Sequence, residues 1–536
     1  MQSRQILVSS DYLHIPIHPG EHDRHALQIW LGGTLLREFY LSLASPGEGA
    51  YFFLNVSAFA EKPLTFILPK PDGLADDILN GIMEGDAPTV ENPLYPDLYQ
   101  EPLRPRFHFS TKRGWLNDPN GLVYADGWFH LYYQHNPMGT PHGGVNICWG
   151  HAVSRDLLHW TELNDAIVPW RRDWSIASGS ALVDDDGVAG YGKGAIIAAF
   201  TALGTYNEIP GRRYASGGQF LAASSDGGYT FYLFNTQAAV PTDNGEGWRD
   251  PRLIRYQDGF VMAVYETLDG RNCVSIYTSQ DLRSWTRSSR NMDLYECPDL
   301  FELATPEGET RWIMYGADGY ARIGWFDGKA FIESGDAHPL DYGKAVYAGQ
   351  TWNHHPQGKR VHISWIFGMD GYRCEESFEG SPFSQCMSIP CELALVKQDT
   401  GFRVLRNPVG QLTQLRDGEP EHSVVQINGI WVVPLEPQSE YLFEVGIPHG
   451  DLIFQAGTHE LRHESYTNTL CFDQNKTCAL SRNALSIRLL VDTTTMEFFI
   501  NEGIAATYTM HPSAMSLRIE GHAEIRCTRW PLKTIW

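Results

Sequence analysis

The sequence predicts an all-β protein on three observations. Short apolar or alternating runs, each ended by Asp-Gly or a similar turn, fill most of the 536 residues. Runs with helical spacing are rare and short. A short pattern recurs in the middle of the chain, as is typical of β-propeller blades. We therefore expect a five-bladed β-propeller followed by a C-terminal β-sandwich and preceded by a small N-terminal β-domain.

Residues 1–100 form the first predicted unit, a small N-terminal β-domain. It contains three strand-like runs, which are Ala26-Leu-Gln-Ile-Trp-Leu31, Leu36-Arg-Glu-Phe-Tyr-Leu41 and Leu64-Thr-Phe-Ile-Leu68. A proline-rich stretch over residues 92–102 indicates a connection to the next unit. The boundary is therefore placed at about residue 100.

Residues 101–395 are predicted to form the propeller. Ser154-Arg-Asp-Leu-Leu-His-Trp160 recurs as Ser279-Gln-Asp-Leu-Arg-Ser-Trp285, with a looser copy at Ser224-Ser-Asp-Gly-Gly-Tyr-Thr-Phe231. Asp-Gly pairs inside residues 124–133 and 256–265 predict hairpins between strand-like runs. The segment has room for roughly five blades of about 40–60 residues each.

Residues 396–419 are predicted to be a linker and residues 420–536 a β-sandwich. Short strands resume here, for example Leu485-Ser-Ile-Arg-Leu-Leu-Val491 and Met496-Glu-Phe-Phe-Ile500, the latter ahead of the turn Asn501-Glu-Gly503. The propeller and the sandwich together account for most of the chain.

The charge of the chain limits its partners. A formal net charge of −23 at pH 7 repels phosphate backbones and anionic lipid, so neither nucleic acid nor membrane is an expected partner. An aromatic share of 12% suits both pleated sheets and sugar-binding surfaces. A neutral sugar or oligosaccharide therefore fits best as the substrate, and no oligomeric state is predicted.

The cysteines and the N-terminus predict a cytoplasmic protein. Nine cysteines, an odd number scattered from Cys148 to Cys527, argue against a disulfide framework. The first residues lack the apolar stretch of a secretory signal. His135 and His151 have no partners at metal-ligand spacing, so neither a metal site nor a cofactor is expected.

Three acidic residues stand in unusual local sequence. They are Asp118 in Trp115-Leu-Asn-Asp-Pro-Asn-Gly121, Asp250 in Trp248-Arg-Asp-Pro251 and Glu296 in Tyr295-Glu-Cys-Pro-Asp299. Each motif alone indicates an ordinary turn with a capping acid. In a propeller, however, sites on the innermost strands of different blades meet at one mouth of the axial channel. Three acids gathered there could cleave a glycoside, with one attacking the anomeric carbon and another protonating the leaving oxygen.

From about Arg106 to the C-terminus the chain resembles glycoside hydrolase family 32, the invertase, inulinase and levanase family. The residues that match occur in the family's order, and they are Trp115-Leu-Asn-Asp-Pro-Asn-Gly121, Tyr132-Tyr-Gln-His-Asn-Pro137, Cys148-Trp-Gly-His-Ala-Val-Ser154, Ser178-Gly-Ser-Ala181, Arg249-Asp-Pro251, Glu296-Cys-Pro-Asp299 and Glu497-Phe-Phe-Ile-Asn-Glu-Gly503. The resemblance implies a five-bladed propeller followed by a β-sandwich. The N-terminal segment is similar to the small β-domain that precedes the propeller in some bacterial fructanases.

The resemblance also implies a retaining β-fructofuranosidase. It implies Asp118 as the nucleophile, Glu296 as the general acid/base and Asp250 as the stabiliser of the transition state. Arg249 either hydrogen-bonds the sugar and keeps Asp250 ionised or only braces its loop. The remaining substrate-binding residues implied by the family are Asn117, Gln134 and Ser178 around the fructosyl unit and Tyr347 and Trp365 in the pocket wall.

The sequence leaves the exact reaction open. The same three acids serve hydrolysis of fructosides and fructosyl transfer, including the formation of difructose anhydrides. A non-catalytic fructan-binding module would lack an acid, and none is lacking here. The stretch Pro141-His-Gly-Gly-Val145 and Ala177 stand where many family members carry aromatic residues. These two departures predict a wider or flatter pocket rim. Such a rim favours an oligomeric or branched fructan, or a different pose of the leaving group, over tight binding of sucrose.

Overall fold

The computed structural model describes residues 1–18, 24–86, 97–169, 174–204, 217–235, 237–241, 246–367, 381–399, 401–481, 484–501, 503–510 and 515–536. The helices found in these ranges are short 3-10 helices, at Ser57–Phe59, Ile78–Gly81, Gly144–Asn146 and Gly410–Leu415. No helix in the described ranges is long and apolar enough to cross a membrane. The prediction of an all-β protein is confirmed.

Within the described residues, the N-terminal β-domain contains seven strands in two sheets. The strands are β1 (Gln2–Leu7), β2 (Tyr12–Ile17), β3 (His25–Leu31), β4 (Thr34–Leu41), β5 (Ala50–Asn55), β6 (Pro63–Leu68) and β7 (Met83–Gly85). One sheet has the order β1-β6-β3-β4 and the other the order β5-β2-β7. Their apolar faces share one core, which Met138 of the following domain joins. The main chain of Tyr40 also exchanges two hydrogen bonds with the Asn146 amide, at 3.0 and 2.6 Å, so this domain is attached to the loop between residues 137 and 147.

Five antiparallel sheets follow, and in each the main strands pair in chain order. The first blade contains β8 (Gly114–Ala125), β9 (Trp128–Asn136), β10 (Cys148–Ser154) and β11 (Thr161–Glu162). The second blade contains β12 (Trp174–Asp184), β13 (Ala195–Gly204), β14 (Gly218–Ser224), β15 (Tyr232–Leu233) and β16 (Val240–Pro241). The third blade contains β17 (Glu246–Tyr256), β18 (Gly259–Leu268), β19 (Arg271–Ser279) and β20 (Thr286–Met292). The fourth blade contains β21 (Asp299–Ala304), β22 (Thr310–Tyr315), β23 (Tyr320–Phe326), β24 (Phe331–Glu333) and β25 (His338–Pro339). The fifth blade contains β26 (Val346–Thr351), β27 (Val361–Ile366), β29 (Cys386–Met387), β30 (Cys391–Gln398) and β31 (Gly401–Pro408). The predicted five-bladed propeller is confirmed.

The first strands of neighbouring blades pack around the axis, where β8 contacts β12 and β26, and β12 contacts β17. The ring closes through β28 (Phe383–Ser384), which pairs in parallel with the start of β8. A buried ion pair between Arg252 and Asp299, at 2.8 Å, joins the third blade to the fourth. Asp299 also accepts hydrogen bonds from Thr351 in the fifth blade. The innermost strands of the blades are therefore held together by polar contacts as well as by apolar packing.

The repeated motif is a turn that joins the third and fourth strands of a blade. Ser154, Ser224 and Ser279 are the last residues of β10, β14 and β19. In each copy the serine hydroxyl donates to the aspartate two residues later, at 3.0, 2.6 and 3.1 Å. The aspartate in turn accepts backbone N–H groups of the following residues. The repeat thus has a structural origin, and it marks equivalent positions in three blades.

The C-terminal strands form one continuous set of pairings. They are β32 (Glu421–Pro434), β33 (Ser439–Val445), β34 (Leu452–Ala456), β35 (His459–Glu464), β36 (Thr469–Phe472), β37 (Lys476–Ala479), β38 (Leu485–Val491), β39 (Thr495–Ile500), β40 (Ile504–Thr509) and β41 (Ser516–Pro531). The long strand β41 pairs with β32, β33 and β34, so it connects the two layers around a shared apolar core. This is the predicted β-sandwich.

The predicted linker at residues 396–419 differs from the structure. Strand β31 lies inside this stretch and pairs with β30 along its whole length, so the fifth blade continues to Pro408. The short 3-10 helix Gly410–Leu415 then buries Leu412 and Leu415. The blade needs this fourth strand to cover its outer edge, which the sequence pattern of residues 396–419 did not reveal. Residues 92–96 of the predicted proline-rich connection lie outside the described ranges.

The propeller and the sandwich meet at a buried histidine. His108 Nδ1 lies 2.8 Å from Asp492 Oδ2, and its Nε2 lies 3.8 Å from Glu497 Oε2. Burial lowers the pKa of His108, but the hydrogen bonds and charges of Asp492 and Glu497 outweigh it and raise the pKa to about 9. The protonated imidazole therefore joins the two domains.

This histidine makes stability depend on pH. Because the pKa of His108 rises from 6.5 to about 9 on folding, its contribution is complete below about pH 6.5 and is lost as the pH rises to 9, a change of about 3 kcal/mol. We expect the free energy of unfolding by urea to fall between pH 6 and pH 9.5, and to fall less in His108→Gln. The exposed His422 provides the control. Equal pH dependence in the wild type and His108→Gln would contradict this role.

Candidate active site

The first strands of four blades are irregular at one end of the propeller axis. Their pairing shifts register next to Asp118 in β8, Ser178 in β12, Asp250 in β17 and Ala348 in β26. A β-bulge turns side chains away from the regular alternation of a strand and often occurs at functional sites. These shifts therefore direct polar groups of different blades towards one shared pocket.

The backbone is strained at the same place. Asp250, Glu296 and Cys297 have φ angles of 62°, 41° and 40°, a left-handed region that non-glycine residues seldom adopt. Such conformations persist only where the surrounding structure holds them, and they cluster at functional sites. The strain at two of the three predicted acids supports a role beyond that of ordinary turn residues.

Asp118 is held by donors on both carboxylate oxygens. Asn117 Nδ2 donates to Oδ1 at 3.1 Å, and Ser178 Oγ donates to Oδ2 at 2.7 Å. Burial raises the pKa of Asp118, the two hydrogen bonds oppose that rise, and the charge of Glu296 adds to it. The side chain remains partly exposed. Asp118 is thus an oriented carboxylate that a ligand can reach.

Asp250 lies deeper in the pocket, only 4% exposed. Its backbone N–H donates to Thr201 Oγ1 in the second blade at 2.9 Å. Thr201 in turn donates to Gln219 in the next strand of the second blade. Burial raises the pKa of Asp250 to about 7, with Glu296 and Asp118 adding to the rise and Arg249 opposing it. Asp250 therefore titrates near neutral pH, and the Arg249 guanidinium favours its ionised form.

Glu296 precedes the first strand of the fourth blade and receives a donor on each carboxylate oxygen. Arg249 Nη2 donates to Oε1, and the Tyr347 hydroxyl donates to Oε2 at 2.5 Å. The guanidinium of Arg249 also lies 3.6 Å from Asp250 Oδ2 and stacks over the Tyr265 ring. Arg249 thus contacts two of the three acids. This favours the predicted role in which it hydrogen-bonds the sugar and keeps Asp250 ionised over the role in which it only braces its loop.

Cys297 connects the acids to one another. Its Sγ lies 3.4 Å from Asp118 Oδ2 and 3.5 Å from Asp250 Oδ2, and its backbone N–H donates to Asp250 at 3.1 Å. Burial and the three acids raise the pKa of the Cys297 thiol, so it remains protonated. The motif Glu296-Cys-Pro-Asp299 therefore supplies both the acid Glu296 and the neutral thiol that lies between the other two acids, Asp118 and Asp250.

The predicted pocket wall consists of aromatic rings that pack edge to face. Trp365 packs edge-on against Tyr347, with ring centroids 6.1 Å apart, and against Trp115 at 5.8 Å. Trp115 Nε1 donates to Asn117 Oδ1 at 2.7 Å and so orients the amide that contacts Asp118. Asn117 thus contacts Asp118, Tyr347 contacts Glu296, and Trp365 packs on Tyr347. The contact of these three residues with a sugar remains a prediction.

His142 is a residue that the sequence pattern did not single out. It lies in the stretch Pro141–Val145, where the lack of an aromatic residue predicted a wider rim, yet its ring packs edge-on against Trp115 at 6.0 Å. Burial, with a smaller effect from the charge of Arg24 in the N-terminal domain, lowers the pKa of His142 to about 4. A neutral imidazole therefore occupies part of the space expected to be open.

Gln134 contacts a backbone carbonyl of the second blade. It is buried in the second strand of the first blade, and its Nε2 donates to the carbonyl of Ile176 at 3.1 Å. This bond supports the irregular part of β12 two residues before Ser178. The observed contact favours a positioning role, and the predicted contact with the sugar remains a prediction.

Among the described residues, one group has the chemistry of metal ligands. Ligand atoms of His135, Cys148 and Asp165 lie within 4.8 Å of one another. His135 Nδ1 is 2.7 Å from Asp165, and its Nε2 is 3.1 Å from the carbonyl of Arg113. Both ring nitrogens thus have protein partners, and the prediction of no metal site remains a prediction.

Removal of Arg249 should change the pH dependence of the site. Asp250 acts as a carboxylate in the predicted chemistry, so activity is lost as the pH falls through its pKa. Arg249 holds this pKa down, so in Arg249→Met we expect the acidic limb of kcat/KM to move to higher pH. We also expect kcat to fall on the order of 10². Arg255→Met, an exposed arginine of the same strand, is the control. An unshifted acidic limb would limit Arg249 to bracing its loop.

An axial pocket that gathers three carboxylates, hydroxyl and amide donors and an aromatic wall defines, on a five-bladed propeller, a glycoside hydrolase. The family description "Glycosyl hydrolases family 32 N-terminal domain" matches residues 108–408, more than half of the chain. The chain belongs to glycosyl hydrolase family 32. The resemblance predicted from the sequence motifs is therefore confirmed.

The chain is similar to several characterised proteins. It is 28% identical over 503 residues to a levanase of Bacillus subtilis (strain 168), covering 82% of this chain and 72% of the levanase. It is 33% identical over 289 residues to invertase 1 of Saccharomyces cerevisiae, covering 49% of this chain and 53% of the invertase. The crystal structure of exo-inulinase from Aspergillus awamori superposes with a TM-score of 0.71 at 21% identity, covering 82% of this chain and 100% of the inulinase.

Proposed function

We propose that the protein is a retaining β-fructofuranosidase that releases fructose from neutral fructosides. The observation that carries the proposal is the meeting of Asp118, Asp250 and Glu296 in one pocket although they come from three different blades. Cys297 touches the first two acids, and Arg249 joins the second to the third. The levanase, invertase and inulinase among its relatives act on fructosides, which supports this class of substrate.

In the first step, an oxygen of Asp118 attacks the anomeric carbon of the fructosyl unit. The bond from this carbon to the leaving oxygen breaks, and Glu296 gives its proton to that oxygen. Asn117 and Ser178 hold the attacking carboxylate in one orientation, which reduces the entropy cost of the step. The products of this step are a fructosyl ester on Asp118 and the free leaving group.

In the second step, Glu296 acts as the base. It takes a proton from a water molecule, whose oxygen attacks the anomeric carbon and displaces Asp118. Fructose leaves with the configuration that it had in the substrate, and both acids return to their starting forms. Asp250 accepts hydrogen bonds from sugar hydroxyls, which strengthen as positive charge develops at the anomeric carbon.

A product profile tests the function and the reaction type together. The wild-type protein is incubated with sucrose, inulin and levan, and the products are separated by chromatography. We expect free fructose from all three, with a higher kcat/KM on one of the polymers than on sucrose, because Ala177 stands where many family members carry an aromatic residue. Longer chains or difructose anhydrides as main products would instead establish fructosyl transfer. A clear preference for sucrose would overturn the expected preference for fructans.

A further inference from the structure

A second cavity opens at the opposite end of the propeller axis. It has a volume of about 480 Å³ and is lined by strands and loops of the second, third, fourth and fifth blades. In β12 it begins at Leu182, four residues beyond Ser178, and in β17 at Ile254, four residues beyond Asp250. At about 3.3 Å per strand residue the cavity starts roughly 13 Å along the strands from Ser178 and Asp250. It is therefore separate from the active site.

The lining combines flat aromatic rings with hydrogen-bonding groups. Tyr256 and Trp312 supply partly exposed rings, and His354 and Glu302 supply polar groups. Aromatic faces beside paired donors and acceptors are suited to a ligand with both apolar faces and hydroxyl groups. A volume of this size is within the usual range for small-ligand sites.

The charges of the lining favour a neutral ligand. Arg255 and Arg360 are balanced by Asp185 and Glu302. Arg255 is already paired with Asp186 at 2.7 Å. An anion would meet two carboxylates here, whereas a hydroxyl group can donate to a carboxylate and accept from a guanidinium.

Arg360 is the donor best placed for this purpose. Its Nη1 donates to the carbonyl of Trp352 at 3.1 Å, and its guanidinium lies over the Phe301 ring. Asp299, whose charge acts on Arg360, is already bound to Arg252 and Thr351. The guanidinium is thus oriented by the protein without a carboxylate of its own among the described residues, and a ligand hydroxyl can accept from it.

We propose that this cavity is a second, non-catalytic sugar-binding site that takes a fructosyl unit of a neutral oligosaccharide. The choice of fructose rests on the proposed function, while the preference for a neutral sugar rests on the lining alone.

Titration of nystose into the full chain carrying Asp118→Ala tests the proposal, since this variant does not consume the ligand. We expect two binding sites per chain, and one after Glu302→Ala and His354→Ala are added. Both side chains are exposed, so folding should be retained, as an unchanged melting temperature would show. Glu307→Ala, an exposed glutamate of the same blade outside the cavity, should keep two sites.

The outcomes separate the two proposals. A single site in Asp118→Ala, or two sites that persist in the triple variant, would overturn the second sugar site. Displacement of nystose from it by inorganic phosphate would overturn the neutral ligand. Release of fructose by the wild-type protein tests the proposed function by a separate measurement. The double variant with Glu302→Ala and His354→Ala should leave kcat on sucrose unchanged.

Discussion

Replacement of Asp118 by alanine should abolish turnover of fructosides and leave the protein folded. Without the attacking carboxylate no covalent intermediate forms, and a loss of this kind reaches on the order of 10⁶ in kcat for other nucleophilic enzymes. Asp118 is partly exposed and forms no apolar core contact among those described, so its removal should cost little stability. Initial rates on sucrose and inulin measure the first effect, and thermal unfolding measures the second.

The matched control is Asp126→Asn, which changes an exposed acid in the first hairpin of the same blade. It should retain wild-type rates. Added azide gives a sharper test, because a small anion can occupy the space left by Asp118 and attack the same carbon. The azide product should have the anomeric configuration opposite to that of the substrate. Full activity in folded Asp118→Ala would rule out the nucleophile assignment, and a failure to fold would assign Asp118 a structural role.

Replacement of Glu296 by alanine should give the second largest effect, and one that depends on the leaving group. Loss of the general acid is expected to lower kcat on sucrose on the order of 10²–10⁴. A p-nitrophenyl fructoside should be affected less in the first step, because its leaving group departs without protonation. Pre-steady-state release of p-nitrophenol measures this step directly.

Glu307→Ala in the same blade serves as the control and should leave both rates unchanged. Equal losses with good and poor leaving groups would remove Glu296 from the acid role. Tyr347→Phe offers a milder test of the same group, since it removes only the hydroxyl that donates to Glu296. Its effect should appear in kcat more than in KM, as expected for a residue that positions Glu296.

Local sequence patterns were sufficient for the fold class. Alternating runs and Asp-containing turns predicted the strands, because strand pairing between chain neighbours depends on turn chemistry within a few residues. The Ser-x-Asp repeat marked the blades for the same reason, since each copy caps its own turn. The fourth strand of the fifth blade was missed. In the structure, the pairing with β30 assigns residues 401–408 to the sheet.

The sequence by itself predicted which three acids form the site, because their motifs are local and occur in the order of the family. Only the tertiary structure decided how they interact. The thiol of Cys297 reaches Asp118 across 179 residues, and Arg249 reaches Glu296 across 47. The packing of His142 on Trp115 and the cavity at the far mouth are also products of blade closure. Contacts of this range depend on how five sheets close around an axis, which no local pattern encodes.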